Sequence, residues 1–441
     1  MAQARSAAKK PFCTYGTALR SGANMNKMTT LRASLGVLFL CFALGACGGG
    51  GGGGGSPNPP NNPPSNPPQN PPQNPPNDPP TLPDPSTAPA LKDEFPGFQI
   101  GAAIEPEQLD IPADRALLLK HYNTLTAENA MKADTIAPED PNVAGGYNFE
   151  RADAIVDFAM ENGMDVHGHA LVWHTTSRDW FFDGDESDPN YRAIVQQRLV
   201  AYITAVVTHF KGRVKSWDVV NEVASDNEGE TYRNSQWYQA FSANGGDGRE
   251  YIRIAFEAAR AADPDALLFI NDYSTENPAK LAKVLEIIDY VEAMGTVEVD
   301  GVGHQFHLQR NANPDHIDAA LTTVEERNLR NRVTELDISI YSDPASCFVS
   351  GTGCQADYGP DFDDIPQSVI VEHAQLYRDV FNVFRDHDST IDAVTTWGVS
   401  DAHTWLNFWP VTRVNRPLLF DTEGNPKLAF WAVVDSAFEI E

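Results

Sequence analysis

The chain has 441 residues, of which 41% are hydrophobic, so it is long enough to bury a large core. Its 61 acidic residues outnumber its 32 basic residues and give a formal charge of −29. Such an acidic surface repels phosphate backbones, so we expect no nucleic-acid partner. Its five cysteines include no Cys-x-x-Cys pair, which argues against a structural zinc site or a thioredoxin-type redox site.

The N-terminal segment has the composition of an export signal. The residues before Cys47 include six basic side chains and no acidic one, and the basic residues precede an apolar run at 35–44. This run is too short to span a bilayer comfortably, but it has the length of a signal-peptide core. We therefore assign 1–46 to a signal region. We expect the true start at Met25 or Met28, because the preceding residues add nothing that a signal needs.

The signal region ends in Leu44-Gly45-Ala46-Cys47, which resembles a bacterial lipobox. The resemblance implies that Cys47 becomes the lipidated first residue; an ordinary secretory signal is the alternative. A glycine run and Pro/Asn/Gln repeats follow, and neither composition can bury a core, so 47–90 is predicted to be a disordered linker. We expect an exported outer-membrane or cell-surface lipoprotein, or otherwise a secreted protein. Its membrane contact would be the lipid anchor alone.

The remainder of the chain, 91–441, is predicted to form one α/β domain. Short apolar runs alternate there with longer amphipathic stretches such as 191–210, whose apolar residues recur at helical spacing. Eight strands that alternate with helices indicate a single (β/α)8 barrel, the TIM barrel. A doubly wound open sheet is the alternative, but no glycine-rich phosphate loop follows any of the runs. The eight predicted strands are 97–104, 124–128, 165–173, 215–222, 266–273, 301–308, 332–340 and 392–399.

Polar and aromatic side chains occur where nearly every predicted strand ends. Chemistry in a (β/α)8 barrel takes place at the carboxyl ends of its strands. A single charged residue at a strand end is usually the solvated start of a loop, whereas convergence from nearly all strands indicates a site. These residues are Glu128, Asn129, His167, His169, Trp173, His174, Asn221, Glu222, Asn271, Asp272, Tyr273, His304, Gln305, His307, Glu335, Asp337, Trp397, Asp401 and Trp405.

Two glutamates fit the paired carboxylates that glycoside hydrolysis requires. Glu222 follows an apolar strand and can project into the barrel mouth, whereas Glu335 shares one strand face with Asp337 because side chains alternate. One carboxyl group must be protonated in order to donate to the leaving oxygen, and the other must be ionised in order to attack or to activate water. Their strands lie on opposite sides of the mouth, so the two glutamates can flank a bound sugar.

Four motifs, in this order along the chain, resemble the signatures of glycoside hydrolase family 10. The resemblance covers essentially the whole body of the chain. It implies a (β/α)8 barrel that cleaves internal β-1,4 linkages of xylan with retention of anomeric configuration, and it implies no cofactor and no metal. We expect a monomer that binds xylan and xylo-oligosaccharides. The motifs are Thr-Ala-Glu-Asn-Ala-Met-Lys at 126–132, Gly-His-Ala-Leu-Val-Trp-His at 168–174, Trp-Asp-Val-Val-Asn-Glu at 217–222 and Thr-Glu-Leu-Asp-Ile at 334–338.

The resemblance implies a role for each residue at the barrel mouth. Glu222 resembles the general acid/base and Glu335 the nucleophile of a double displacement. Asn221 matches the residue that hydrogen-bonds the sugar 2-hydroxyl. The residues that resemble the group orienting the nucleophile are His307, Asp337 and Gln305. The other residues that match substrate-binding positions are Glu128, Asn129, Lys132, His169, Trp173, Tyr273, Trp397 and Trp405.

The sequence departs from the family pattern at two places near the expected sugar subsites. Ala133 replaces the aromatic residue that commonly follows the Met-Lys pair, and Thr175-Thr176 replaces the usual Ser-Gln. The second change can remove one hydrogen bond to the sugar near the cleavage point. Neither change touches the two glutamates, so both bear on fine specificity and not on the reaction class.

The long segment 342–365, after the seventh predicted strand, contains Cys347 and Cys354. The two cysteines lie close in sequence, and the compartment of an exported protein permits a disulfide. We expect a disulfide that closes this loop near the aglycone side of the site. Two free thiols are the alternative.

Three other functions remain open on the sequence. The His-x-His pair at His167 and His169 fits a metal-dependent barrel hydrolase, although the fourth and fifth strands supply no further histidine or bridging lysine. A non-catalytic surface protein that captures polysaccharide would use the same aromatic cleft. Another retaining β-glycanase, a cellulase or a mannanase, would keep both glutamates and differ in its sugar pockets.

Overall fold

The computed structural model describes residues 82–141 and 146–440. The predicted signal region 1–46, the predicted lipidation residue Cys47 and most of the predicted linker lie outside the described residues. Packing in the described part begins slightly before the predicted domain boundary, because Ala88 is already buried in the core. Within the described ranges, no helix is both long and apolar enough to cross a bilayer.

Ten strands run through the described domain: β1 (Gln99–Ile104), β2 (Thr124–Ala127), β3 (Asp165–Gly168), β4 (Val172–Trp173), β5 (Ser216–Asn221), β6 (Leu267–Asp272), β7 (Gly301–His304), β8 (His307–Gln309), β9 (Arg330–Ser339) and β10 (Ile391–Thr396). Strands β1, β2, β3, β5, β6, β7, β9 and β10 follow one another in a parallel sheet, and β10 pairs with both β9 and β1. These pairings close the sheet into a barrel. The short strands β4 and β8 pair with β5 and β9.

Helices follow the strands around the barrel, which confirms the predicted (β/α)8 fold. The α-helices are α1 (Pro112–His121), α2 (Ala133–Ile136), α3 (Glu150–Glu161), α4 (Tyr191–Phe210), α5 (Gln236–Ser242), α6 (Glu250–Ala262), α7 (Pro278–Glu292), α8 (Pro314–Glu325), α9 (Ala345–Ser350), α10 (Gln367–Asp386) and α11 (Leu428–Val434). The 3₁₀ helices are Pro85–Thr87, Leu91–Asp93, Pro106–Asp110, Asp179–Phe182, Ala243–Gly245, Phe362–Asp364, Asp401–His403 and Trp405–Asn407.

Local sequence explains where several helices begin and which face they bury. Helices α7 and α8 each start at an Asn-Pro pair: the asparagine side chain accepts a hydrogen bond from the second helical N–H, and proline lacks the N–H that would stay unpaired. Helix α4 buries residues that recur every three or four positions, from Tyr191 to Phe210, against the barrel. The core therefore lies between the ring of strands and the outer helices.

Two predicted strands are interrupted in the structure. The predicted strand 165–173 divides into β3 and β4, and the predicted strand 301–308 divides into β7 and β8. In the second case Phe306 has a φ of 47°, which takes the backbone out of the extended region. The period-two pattern in the sequence does not reveal such a break, because one residue of unusual conformation leaves the apolar spacing nearly unchanged.

Candidate active site

Glu335 lies on β9, and two donors hold its carboxylate at the barrel mouth. The Asn271 amide donates to Oε1 over 2.7 Å, and His307 Nε2 lies 3.1 Å from Oε2. The residue is 5% exposed, and burial alone would raise the pKa of its carboxyl group. Nearby His169 and His307 outweigh burial, so the pKa of Glu335 is below its usual value. This site therefore favours an ionised Glu335.

His307 connects Glu335 with Asp337. Its Nδ1 lies 3.1 Å from Asp337 Oδ2, and Trp405 Nε1 donates to the same oxygen over 2.8 Å. Burial favours the neutral imidazole, but Asp337 and Glu335 outweigh it and raise the pKa of His307 to about 10. The ring is thus a cation at neutral pH, hydrogen-bonded to Glu335 through Nε2 and ion-paired with Asp337 through Nδ1. The structure places these residues together, as the resemblance implies.

Glu222 follows the last residue of β5 and has a left-handed backbone conformation, with φ at 57°. Its N–H donates to the Asn271 carbonyl over 2.9 Å, and its own carbonyl accepts from Arg233 Nε over 2.6 Å. These two hydrogen bonds fix a conformation that a glutamate rarely adopts. Burial, together with the negative charge of Glu335, raises the pKa of Glu222 above its usual value.

Gln305 lies beside Asn221 and Glu222. Its amide donates to Asn221 Oδ1 over 3.1 Å and reaches Glu222 Oε1 at 3.4 Å. In the described ranges it makes no hydrogen bond to Glu335. The turn at Phe306 separates Gln305 from His307, so the two side chains do not share one strand face. Gln305 therefore contacts Asn221 and Glu222 directly, and its role toward Glu335 stays a prediction.

Three amides join the two glutamates in one hydrogen-bonded chain. Asn271 Nδ2 donates to Glu335 and also to Asn221 Oδ1 over 3.0 Å, and Gln305 donates to the same Asn221 oxygen. Two donors on this oxygen determine the orientation of the Asn221 amide. Its Nδ2 has no partner in the part of the chain that the structure describes, so it can donate to a ligand.

Asn271 is one of the predicted strand-end residues, but the resemblance assigns it no role. Its Oδ1 accepts from Thr334 Oγ1 over 2.7 Å, which fixes the amide so that Nδ2 points at Glu335. Gly303, on the neighbouring strand β7, leaves room for the Asn271 side chain because it has no Cβ. A Cβ at this position would lie 2.5 Å from Asn271 Oδ1, which is too close for two non-bonded atoms. The one feature of the sequence that points to Asn271 is its position at the end of a predicted strand, two residues before Tyr273. Only the lateral pairing of β6 with β5 brings it between the two glutamates.

His167 and His169, the pair that suggested a metal site, both turn toward Asp218. His169 Nδ1 lies 2.9 Å from Asp218 Oδ2, and His167 Nε2 lies 3.0 Å from Oδ1. The other nitrogen of His167 lies 2.7 Å from Ser216 Oγ. His169 Nδ1 is also 3.9 Å from Glu335 Oε1. Asp218 therefore lies between the two histidines, and its contact with His169 keeps that ring close to Glu335.

Glu128, Asn129 and Lys132 lie together after β2. Lys132 Nζ donates to Asn129 Oδ1 over 2.9 Å and lies 4.9 Å from the centre of the Trp173 ring. Burial and the charge of Glu105 raise the pKa of Glu128 to about 7. Near neutral pH the Glu128 carboxyl is therefore a mixture of both forms, so it can donate to a hydroxyl group as well as accept from one.

Glu105 also contacts the site, although the sequence analysis did not place it there. It accepts from Asn129 Nδ2 over 2.6 Å and from Arg151 Nη2 over 2.8 Å. Glu105 follows β1, whereas Arg151 lies in α3, so only the folded barrel brings this group together. No motif in the sequence signals the contact.

Two tryptophans form the aromatic side of the site. The ring centres of His169 and Trp397 are 5.3 Å apart, and those of His307 and Trp405 are 5.0 Å apart; both pairs meet edge to face. Flat apolar surfaces beside fixed hydrogen-bonding groups are suited to pyranose rings, which have apolar faces and polar edges.

Tyr273 belongs to a charged cluster beside Glu222. Its hydroxyl accepts from Arg233 Nη2 over 2.8 Å and donates to Asp226, and Lys280 Nζ lies 4.2 Å from the centre of the ring. Arg233 therefore joins the hydroxyl of Tyr273 to the backbone of Glu222. The sequence analysis placed Tyr273 at the site but did not place Arg233 there, because Arg233 lies in a loop and not at the end of a strand.

The two departures from the family pattern lie in the described part of the site. Ala133 is buried at the start of α2. Thr176 is also buried, and its hydroxyl has no hydrogen-bond partner among the described residues. Cys347 and Cys354 form the expected disulfide, which closes the loop at α9.

Comparison with known proteins places this barrel in a family. The model of glycosyl hydrolase family 10 matches residues 88–436. The chain belongs to glycosyl hydrolase family 10. A thermostable celloxylanase of Thermoclostridium stercorarium is 41% identical over 364 residues, which are 80% of this chain and 87% of that protein. A β-1,4-xylanase of Dictyoglomus thermophilum is 40% identical over 349 residues, 78% of this chain and 90% of that protein.

Solved structures of family 10 share the fold. The crystal structure of xylanase B from Clostridium stercorarium F9 aligns with a TM-score of 0.70 at 41% identity and covers 79% of this chain and 99% of that chain. The structure of a family 10 protein from Paenibacillus barcinonensis aligns with a TM-score of 0.69 at 36% identity, over 79% of this chain and 97% of that one. The family 10 match begins before β1 and ends after α11, so it contains every site residue described above.

Proposed function

We propose that this chain is a retaining endo-β-1,4-xylanase in which Glu222 is the general acid/base and Glu335 is the nucleophile. Membership of family 10 and the similarity to xylanases over most of their length support the activity. The observation that carries the two roles is the different surroundings of two carboxyl groups at one barrel mouth. His169 and His307 lie 3.9 Å and 3.1 Å from Glu335 and lower its pKa, whereas burial raises the pKa of Glu222. One group is thereby prepared to donate a proton and the other to attack.

In the first step Glu335 attacks the anomeric carbon while Glu222 protonates the departing oxygen. The donors on Asn271 and His307 fix the direction of the Glu335 carboxylate. Formation of the glycosyl ester removes the negative charge of Glu335, and that charge contributes to the raised pKa of Glu222. The pKa of Glu222 therefore falls once the intermediate forms.

In the second step Glu222, now a carboxylate with a lower pKa, takes a proton from water, and the hydroxide displaces Glu335 from the sugar. Attack from the opposite face restores the original anomeric configuration. The free Nδ2 of Asn221 is the donor for the sugar 2-hydroxyl, a contact that strengthens as positive charge develops on the ring.

Rates on three polysaccharides test this function directly. Xylose lacks the hydroxymethyl group of glucose and mannose, so a pocket closed near C5 excludes the larger sugars. We expect kcat/KM on xylan to exceed the values on carboxymethyl-cellulose and mannan by at least about tenfold, the discrimination that a small steric difference allows. Proton NMR of the first products should show the β-anomer.

Each rival function predicts a different result in the same assay. Equal rates on cellulose or mannan would assign the chain to another β-glycanase, and binding of xylan without release of reducing sugar would make it a binding protein. Loss of activity with a chelator would support the metal-dependent hydrolase. An initial α-anomer would contradict the double displacement.

Replacement of Arg233 tests whether this residue positions Glu222. It holds the Glu222 carbonyl at 2.6 Å, and its charge lowers the pKa of Glu222. We expect Arg233→Met to reduce kcat on xylan by about tenfold to a hundredfold, because a small displacement of a catalytic group is costly. The alkaline limb of the pH–rate profile should move to higher pH, since the pKa of Glu222 rises without the guanidinium.

Two further variants define what the Arg233 result means. Arg233→Lys should keep the alkaline limb near its original pH but recover only part of kcat, since lysine keeps the charge without the planar fork. Arg249→Met removes a partly exposed arginine that pairs with Asp247 and should leave both quantities unchanged. A loss of kcat with no movement of the alkaline limb would mean that Arg233 acts only on the stability of the loop.

We further propose that the protein is an exported monomer that a lipid on Cys47 anchors to a membrane, with 47–90 as its tether. The basic residues, the apolar run and the Leu-Gly-Ala-Cys motif support this proposal. In cells, we expect Cys47→Ser to move the protein from the membrane fraction to the soluble fraction while xylanase activity stays unchanged. Equal distribution of both forms would exclude the anchor.

A further inference from the structure

Two adjacent aromatic side chains protrude from the loop between β10 and α11. Phe408 is 71% exposed and Trp409 is 47% exposed. Neither ring contacts another aromatic ring or a cation in the described ranges. Single exposed apolar residues are common on protein surfaces, but a contiguous pair of large aromatics is a typical feature of a binding surface. We call Phe408 and Trp409 the outer platform.

The outer platform continues directly from the aromatic side of the site. Trp405 Nε1 donates to Asp337, and its ring meets His307. The Phe408 N–H donates to the Trp405 carbonyl over 2.9 Å, so a tight turn joins the two residues. Such a turn keeps their Cα atoms within about 7 Å. The outer platform therefore begins at a distance from the cleft that a sugar unit or two can span.

The loop that carries the outer platform is held firmly at its base. Arg413 forms a buried ion pair with Asp343, donates to the Gln355 carbonyl over 2.8 Å and lies 3.6 Å from the centre of the Tyr341 ring. On the opposite side of the loop, Asn407 accepts hydrogen bonds at its carbonyl and its side-chain oxygen. The aromatic pair is thus presented on a fixed base, which lowers the entropic cost of binding.

The chemistry of the loop indicates the kind of ligand. The segment 404–412 contains no charged residue, in a chain whose formal charge is −29. A neutral polymer with apolar ring faces suits such a surface better than a charged partner does. An endo-acting hydrolase must also hold a substrate that extends beyond the cleaved bond on both sides. Phe408 and Trp409 lie three and four residues after Trp405 in this uncharged segment.

We propose that the outer platform is an additional sugar-binding subsite, at which Phe408 and Trp409 stack against a xylan chain where it leaves the cleft. This inference rests on the proposed xylanase function and extends it to longer substrates. The subsite contributes to binding of the polymer and makes no contact with the reacting atoms.

The test compares the double variant Phe408→Ala/Trp409→Ala with wild type on polymeric xylan and on xylotriose. We expect kcat/KM on xylan to fall by roughly three- to tenfold, the scale of one aromatic contact, mainly through KM. On xylotriose, which is too short to fill the cleft and the platform together, we expect a loss of less than twofold. Met294→Ala is the matched control, because Met294 is 67% exposed and lies after α7, at the opposite end of the barrel.

A binding measurement separates affinity from turnover. In affinity electrophoresis through gels that contain xylan, the Glu335→Gln protein should be retarded more strongly than Glu335→Gln with both platform residues replaced. Equal retardation, or an equal loss of kcat/KM on both substrates, would overturn the subsite. A wild-type dimer in size-exclusion chromatography that the double variant abolishes, with unchanged xylan kinetics, would show that a second copy covers the platform. Failure of the xylanase function itself appears separately, as wild-type protein that releases no sugar.

Discussion

Glu335→Gln is expected to abolish turnover on xylan, with a fall in kcat of at least about 10⁴-fold, because the amide cannot form the glycosyl ester. The replacement has nearly the same shape and keeps an oxygen that can accept from Asn271 or His307. Binding of xylo-oligosaccharides should therefore persist, with a Kd within about threefold of the wild-type value. Reducing-sugar release and isothermal titration calorimetry measure the two quantities.

The control for this experiment is Glu298→Gln, at an exposed glutamate before β7, at the end of the barrel opposite the site. It makes the same chemical change and should leave turnover and binding unchanged. Substantial xylanase activity in Glu335→Gln would remove Glu335 from the role of nucleophile. Loss of oligosaccharide binding together with turnover would mean that the variant had disturbed the site as a whole.

Glu222→Ala should reduce turnover in a manner that depends on the leaving group. On xylan, whose leaving group is a poorly acidic alcohol, we expect a loss of about 10²- to 10⁴-fold, the usual contribution of general acid catalysis. On an aryl xylobioside with an acidic phenol, ester formation needs no proton donor, so that step should stay nearly as fast as in wild type. Hydrolysis of the ester then becomes slow, and a burst of phenol should precede steady state.

The pH dependence follows from the same two carboxyl groups. The pKa of Glu222 is raised, and Glu222 must be protonated at the start, so activity falls as pH rises through that pKa. The pKa of Glu335 is lowered, and Glu335 must be ionised, so activity falls as pH drops through that value. We expect a bell-shaped profile for wild type on xylan. On the aryl substrate, ester formation by Glu222→Ala should lose the alkaline limb and keep the acidic limb. Retention of the alkaline limb would assign it to another group.

The sequence by itself determined the fold and the positions of the two glutamates. Eight apolar runs separated by amphipathic stretches, with no glycine-rich phosphate loop after any of them, favour a parallel barrel over an open sheet, and the strand ends of a barrel meet at one mouth. Alternation along β9 then places Glu335 and Asp337 on the same face. Both predictions depend only on the spacing of residues within a single strand or helix, which can be read directly from the sequence.

The tertiary structure decided how the residues at the mouth are connected. Asn271 bridges Glu335 and Asn221, at sequence separations of 64 and 50 residues, and no local pattern encodes either contact. The break at Phe306 assigns Gln305 to Glu222 and His307 to Glu335, although the sequence places both on one strand.

The directions of the pKa shifts likewise required the folded chain. Glu222 and Glu335 have the same ordinary pKa, and their sequence neighbours do not distinguish a proton donor from an ionised carboxylate. Burial raises the pKa of both, but only Glu335 has His307 and His169 close enough to reverse the effect. The sequence therefore predicts that the carboxyl groups of Glu222 and Glu335 lie at the same barrel mouth. The packing of residues distant in sequence sets their opposite protonation, because electrostatic interactions depend on distance in space.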